Sequence, residues 1–372
     1  MDLPIPQTDP GAACQAMRAE IDKAIARVLT SGRYILGEEV DAFEREFASW
    51  LGTDGAVGVA SGTDALVLGL KALGVGAGDW VATVSHTAVA TVAAIEQTGA
   101  RPVLVDIDRG YGMDMDHLDA TLRLFPVKVV VPVHLYGQPV ALDRLQQFTR
   151  DRGIAVLEDC SQAHGARFAG RPVGRFGALA AYSLYPTKNL GGIGDGGVIA
   201  MDDAGLARTL RALRQYGWDE TRSSRQPGYN SRLDEIQAAI LRVRLPRLEA
   251  DNTRRRAIAA AYDAGLVDVP GLALPWRRPE TEHVFHQYVV AHPARDMVQT
   301  RLRDRGVLTS IHYPCPVHSQ PAYRDRVALG PGGLPETERA AATILSLPMF
   351  PQMTDPQVSR VIAAVTACCT MA

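Results

Sequence analysis

The chain has 372 residues, of which 47% are hydrophobic and 22% charged, with a formal net charge of -2. That length leaves room for two domains and a large core, and the near-neutral balance argues against a broad nucleic-acid-binding face. No apolar run approaches the ~20 residues of a membrane helix, so a soluble globular protein is expected.

The opening MDLPIPQTDP lacks the basic-then-apolar pattern of a signal peptide. Cys14, Cys160, Cys315, Cys368 and Cys369 are odd in number and scattered, with no C-x-x-C pair. Reduced thiols in a cytoplasm are expected, with neither a disulfide frame nor a metal site.

In chain order, AVGVA (56–60) precedes the helical SGTDALVLGLKALG, and RPVLVDID (101–108) follows the helical TAVATVAAIEQTG. KVVVPVH (128–134) precedes ALDRLQQFTRDRG. IAVLED (154–159), ALAAYSL (178–184) and GGVIAM (196–201) come next. Short apolar runs alternating with helical patterns predict an α/β fold with a mostly parallel sheet covered on both faces. A helical stretch covers 231–266, and Pro246 is expected to kink or split it. Beyond it, HVFHQYVVA and VLTSIHYP look like strands, with helices around 296–305, 336–346 and 354–368. The expected division is a large α/β domain over residues 1–245 and a smaller α+β domain over residues 246–372.

Ligands of open parallel sheets collect beyond the carboxyl ends of the strands. Four segments fall there. In VASGTDALVLGL, Ser61 and Asp64 have the spacing of a capping box at a helix start, where N–H groups attract an anion such as phosphate. Helix capping alone accounts for the same pattern. In IAVLEDCSQAHGA, Asp159 directly follows a strand; it either caps the next turn or holds a ring nitrogen protonated. In SLYPTKNLGGIGDGG, Lys188 follows Ser183 and heads a run of glycines. The chain holds only four lysines, Lys23, Lys71, Lys128 and Lys188, and uses arginine almost everywhere else. An amine can lose its proton and attack a carbonyl, which a guanidinium cannot. Gly192, Gly194 and Gly197 also spell G-x-G-x-x-G, but a strand follows them where a dinucleotide site needs a helix. In GYNSRLDEIQAA, Asn230 and Ser231 are placed to cap the long helix, and Arg232 stands near its start. A phosphate cup, a carboxylate at a strand end and a lone lysine are the parts pyridoxal phosphate requires.

Several stretches together resemble the DegT/DnrJ/EryC1/StrS sugar aminotransferases: LTSGRYILGEEVDAFEREFASWLG (29–52), SGTDAL, VPVHLYGQP, EDCSQAHGA, SLYPTKNLGGIGDGG, YNSRLDEIQAA and HYPCPVH. The resemblance runs from 29 to about 350. It implies the aspartate-aminotransferase fold (fold type I), pyridoxal 5'-phosphate as cofactor, and a homodimer with active sites at the interface. It makes Lys188 the lysine that binds the cofactor covalently and Asp159 the partner of the pyridine nitrogen. Gln162 would contact the cofactor's 3-hydroxyl oxygen. Gly62, Thr63 and Ser183 would hold the phosphate, completed by Asn230 of the second subunit. L-Glutamate, the family's usual donor, would give its amino group to a nucleotide-linked keto sugar, with the Lys188 amine moving the proton. One position departs: where many relatives stack an aromatic residue on the cofactor ring, this chain has Ala88, and nothing identifies neighbouring His86 as its substitute.

The H-Y-P-x-P-x-H pattern at 312–318 is similar to relatives that act on 3-keto sugars. VPVHLYG and NSRLDEIQAAILR look like the 3-aminotransferases of dTDP-6-deoxy sugars. The expected substrate is therefore a dTDP-3-keto-6-deoxyhexose, with a UDP-linked 3-keto sugar or a 4-keto sugar nucleotide as alternatives. His312, Tyr313 and His318 would contact sugar or diphosphate, and Arg232 would add charge. Packing or solvation alone also accounts for these residues. A sugar dehydratase of the same family carries histidine in place of the lysine, so Lys188 speaks against it. An NAD-linked oxidoreductase would rest on the glycine pattern alone. A non-catalytic regulator that binds pyridoxal phosphate keeps the fold without the chemistry.

Overall fold

Six of the apolar runs form strands of one sheet in the computed structural model of the chain, which describes residues 3–370. The sheet has eight strands. Their order across it is Gly55–Val59, Gly197–Met201, Leu179–Ser183, Ala155–Asp159, Val127–Val130, Trp80–Val84, Arg101–Val105 and Ala328–Leu329. Gly197–Met201 runs antiparallel to both neighbours. The remaining pairs are parallel.

Alternation along the strands sends side chains to two cores. Val57, Val59, Ile199 and Met201 face one core with the helices Gly62–Ala72 and Ala204–Leu213. Ala56, Val198 and Ala200 face the other, with Phe43 and Phe47 of the helix Glu38–Leu51 and Leu118 of Met115–Leu124. Burial on both faces explains why these strands read as unbroken Val, Ile and Ala runs.

The strand Trp80–Val84 was not expected. Its residues run without a break into the helix Val89–Gln97 through small and β-branched residues, and a strand buried on both faces has no period of its own.

The stretch expected to be helical over 231–266 divides at its proline. A helix Glu235–Arg244, a 3₁₀ turn Leu245–Arg247 and a helix Leu248–Leu266 follow one another. Pro246 lacks the N–H a continuous helix needs. The first helix also starts later than expected. Asp234 stands at its cap position, so neither Asn230 nor Ser231 caps it. Ser231 instead ties the segment to another helix start: its Oγ donates to Asp64 Oδ2 at 2.6 Å and accepts from the Ala60 N–H at 3.1 Å.

In the C-terminal part, Tyr288–Ala291 pairs antiparallel with Ile344–Leu347. The helices Arg295–Asp304, Pro335–Thr343 and Asp355–Thr370 accompany them. Tyr262, Tyr288, Val298 and Val361 share a core that also takes in Ile5 from the start of the chain. The strand expected over 307–314 is reduced to isolated bridges, Val307 with Ile5 and Ser310 with Ser346. Pro314 and Pro316 cannot donate to a ladder. The helix expected to reach 346 stops at Thr343, and a buried strand follows.

Candidate active site

The carboxyl ends of five strands that run in the same direction, with loops from the C-terminal part, enclose a cavity of about 320 Å³. Pockets of this size hold small ligands and cofactors. Gly62, Thr63, Asp159, Gln162, Ser183, Lys188, His312 and Tyr313 all line it.

One wall is the start of the helix Gly62–Ala72. Ser61 caps it, its Oγ accepting from the Asp64 N–H at 3.0 Å. The first N–H groups of a helix have no partner within it and carry partial positive charge. Glycine is needed at 62 because a Cβ there would lie 2.5 Å from Ser183 Cβ. Gly197 is needed for the same kind of reason: a Cβ would sit 2.2 Å from the Ser61 carbonyl oxygen. Gly197, the last glycine of SLYPTKNLGGIGDGG, thus lets neighbouring backbone close in beneath this helix start. A strand, Gly197–Met201, follows that run of glycines, which removes the context of a dinucleotide fingerprint.

Asp159 ends its strand with the carboxylate buried. Thr91 Oγ1 donates to Oδ2 at 3.0 Å, and the Ser161 N–H donates to Oδ1 at 3.1 Å. Thr91 lies 3.1 Å from Thr87 Oγ1. With its own hydrogen spent on the carboxylate, Thr91 accepts from Thr87.

Lys188 is half-buried, and its backbone N–H closes a turn on the Tyr185 carbonyl. Burial lowers the pKa of its amine to about 8, against the opposing pull of Asp159. Among the described residues nothing accepts a hydrogen bond from Nζ. A fraction of the amine is therefore neutral and nucleophilic near neutral pH, and that amine is unencumbered.

Gln162 Oε1 accepts from the Tyr136 N–H at 2.7 Å, and its Nε2 lies 3.4 Å from Tyr313 Oη. His312 Nδ1 lies 2.8 Å from Ser346 Oγ, and Tyr136 Oη donates to the His312 carbonyl. Burial, then Lys188, lowers the His312 pKa to about 4. Burial raises the Tyr313 pKa to about 12. At neutral pH both are uncharged hydrogen-bonding groups.

The other sequence candidates lie elsewhere. His318 does not line the cavity. Its Nδ1 lies 2.7 Å from Ser85 Oγ and its Nε2 3.3 Å from Glu338 Oε1, so the rigid loop presents its two ends to different neighbours. Asn230 and Arg232 line an adjoining pocket of about 490 Å³, which shares Ser61 and Asp195 with the main cavity. Ala88 lines the cavity; His86 is fully buried away from it, Nε2 on Tyr136 Oη at 2.8 Å.

Thr91, His286 and Gln287 also line the cavity and were missed. Thr87 and Thr91 are four apart at a helix start, a one-face spacing that marks a polar pair in an apolar run. The histidines and the glutamine of HVFHQYVVA offered a signal of the same kind, polar residues inside an apparent strand.

His134, Glu158 and Cys160 form a buried group close enough to share a metal ion. The Glu158 carboxylate is already engaged by the N–H groups of Gly174, Phe176 and Gly177 and by His134 Nε2. Those donors make it a structural anchor for the 174–177 loop.

The model of the DegT/DnrJ/EryC1/StrS aminotransferase family matches residues 15–366. The chain belongs to this family. Among the similar proteins is a dTDP-3-amino-3,4,6-trideoxy-alpha-D-glucose transaminase of Streptomyces venezuelae, 47% identical over 97% of this chain and 95% of that protein. The crystal structure of DesV from S. venezuelae superposes with a TM-score of 0.95 at 46% identity, covering 98% of each chain. NtdA from Bacillus subtilis, solved with its cofactor PMP bound, superposes with a TM-score of 0.88 at 28% identity over 95% of this chain and 82% of that one. The fold is that of these aminotransferases. Among the described residues no helix is long and apolar enough to cross a membrane.

Proposed function

We propose that this aminotransferase moves the amino group of L-glutamate to the keto carbon of a dTDP-3-keto-6-deoxyhexose, using pyridoxal 5'-phosphate. The observation that carries the reading is the shared cavity: one unpartnered lysine, one buried carboxylate and one helix start meet there. The similar S. venezuelae transaminase carries the choice of a dTDP-linked sugar aminated at C3.

The residues fit the cofactor. The glycine floor at Gly62 and the N–H groups beside it suit a phosphate, with Ser183 Oγ adjoining. Lys188 Nζ would bind the cofactor covalently. Asp159, held on both oxygens, would face the ring nitrogen as a fixed negative charge. Gln162 has its amide oxygen committed to Tyr136, which leaves Nε2 to donate to the ring hydroxyl oxygen. Bound pyridoxal phosphate supplies a carbon that carries the amino group and a ring that accepts electrons. Lys188, once released, takes the proton from the donor's α-carbon and returns one on the sugar side. A general base works best with a pKa near the working pH, and burial places Lys188 there.

This assignment has a pH signature. With a pKa of about 8, the Lys188 amine is one-tenth neutral at pH 7 and half neutral at pH 8. Only the neutral form attacks the aldehyde, so cofactor uptake by the cofactor-free protein should quicken about fivefold over that step and level off above about pH 9. A rate that is flat across this range, followed by stopped-flow absorbance, contradicts the assignment.

The sugar side rests on His312 and Tyr313. His312→Ala and Tyr313→Phe should slow the sugar half-reaction about tenfold while the glutamate half-reaction stays near wild type. Equal loss in both halves, measured in single turnovers, would count against a sugar-binding role.

In the proposed cytoplasmic homodimer, Asn230 and Arg232 serve the active site of a second copy of the chain. Mixing a Lys188→Ala chain with an Asn230→Ala/Arg232→Ala chain then leaves one unaltered site in each mixed dimer. Random exchange should restore about a quarter of wild-type activity. No recovery after verified exchange would place the Asn230 segment in its own chain's chemistry.

A further inference from the structure

A histidine on the wall of the main cavity has one ring nitrogen without a hydrogen-bond partner among the described residues. His286 is 4% exposed and lines this cavity. Its Nδ1 lies 3.2 Å from Asn189 Oδ1. The surrounding network decides which of the two carries the hydrogen. Asn189 Nδ2 donates to Asn252 Oδ1 at 2.8 Å and to the Val284 carbonyl at 3.1 Å. Asn252 Nδ2 in turn donates to the His164 carbonyl at 2.9 Å. Both hydrogens of the Asn189 amide are thus spent, so its Oδ1 accepts and His286 Nδ1 carries the hydrogen. Both asparagines are buried, so bulk water does not loosen this order.

The ring is neutral. Burial, and after it the charge of Lys188, holds its pKa well below the usual histidine value. A neutral ring with its hydrogen on Nδ1 has a bare lone pair on Nε2. Among the described residues nothing donates to that lone pair. A ligand that fills the cavity and covers this nitrogen without offering it a donor would leave a buried acceptor bare, at a cost in binding free energy.

We propose that His286 Nε2 accepts a hydrogen bond from a hydroxyl group of the acceptor sugar and so favours the sugar over other carbonyl compounds. The inference rests on the keto-sugar reading above. A sugar brings hydroxyl donors. The amino donor brings two carboxylates, whose oxygens are acceptors like Nε2 itself, and its one N–H group is the amine that reacts. Asn189 is the positioning residue, because it fixes which imidazole nitrogen is bare.

The test uses the full-length enzyme with its cofactor. His286→Asn keeps a side-chain N–H for Asn189 and removes the atom at the Nε2 position. The glutamate and sugar half-reactions are measured separately, the latter with a dTDP-3-keto-6-deoxyhexose and its 2-deoxy and 4-deoxy analogues. The sugar step should slow about tenfold or more, with the glutamate step within about twofold of wild type. One deoxy analogue should react poorly with wild type yet lose nothing further in the variant. His286→Gln, which returns an acceptor near the Nε2 position, should recover part of the rate. Equal slowing of both steps, an unchanged sugar step, or identical discrimination between analogues by wild type and variant would overturn the inference. Failure of wild type to aminate any of these sugars overturns the keto-sugar reading first, and this inference with it.

Discussion

Lys188→Ala is expected to abolish amino transfer, lowering turnover by at least about 10⁴-fold, the upper range for one acid–base group, because the same amine also binds the cofactor. No other lysine can step in. Lys71 Nζ donates to the Thr98 carbonyl at 2.9 Å, and Lys128 Nζ is engaged by the Gly74 carbonyl and Asp79. Lys23 lies on the exposed face of the helix Arg18–Ser31. Lys188→Arg should be equally inactive, since a guanidinium does not condense with an aldehyde. The protein should stay folded. Burial lowers the Lys188 pKa, so below about pH 8 the charged amine is less favourable in the folded chain than in the unfolded one, and its removal relieves that cost. Compared with both proteins free of cofactor, the unfolding temperature should hold or rise; with pyridoxal phosphate added, the visible absorbance of covalently bound cofactor should be missing from the variant. Steady turnover by either purified variant would refute the role given to this lysine.

Asp159→Asn tests the other essential group. The amide is nearly the same size and keeps an oxygen for one of the donors, Thr91 Oγ1 or the Ser161 N–H. It carries no charge to stabilise a protonated ring nitrogen. Removing a preorganised electrostatic contact of this kind costs about 10²-fold or more in turnover. The expected result is that loss in both half-reactions, with cofactor still bound through Lys188. Near-wild-type turnover would make Asp159 a turn-former that happens to end a strand in the cavity.

The parts of the site that were legible are those fixed by local chemistry. A lysine kept in an arginine-rich chain stood out because only an amine can do its work. Asp159 stood out because it ends a mostly apolar strand, and Gly62 because it directly follows the Ser61 cap just past a strand end. What was not legible depends on direction. His318 and His312 share one short loop with two prolines, yet His312 lines the cavity while His318 turns to Ser85 and Glu338. Spacing alone could not separate them. Thr91 and His286 were hidden because their polarity is spent inside apolar segments, where a satisfied core residue and a ligand contact look alike. The strand Trp80–Val84 was lost to its own burial, and Ile344–Leu347 to the helix that runs directly into it.

The most direct measurement supplies the purified enzyme with glutamate labelled in its amino group with heavy nitrogen, together with a dTDP-3-keto-6-deoxyhexose. The position of the label in the product is then read by NMR. The account predicts labelled nitrogen bonded to C3 of the sugar, with 2-oxoglutarate formed in equal amount. Label at C4, or no transfer to the sugar while glutamate is still consumed, would contradict it.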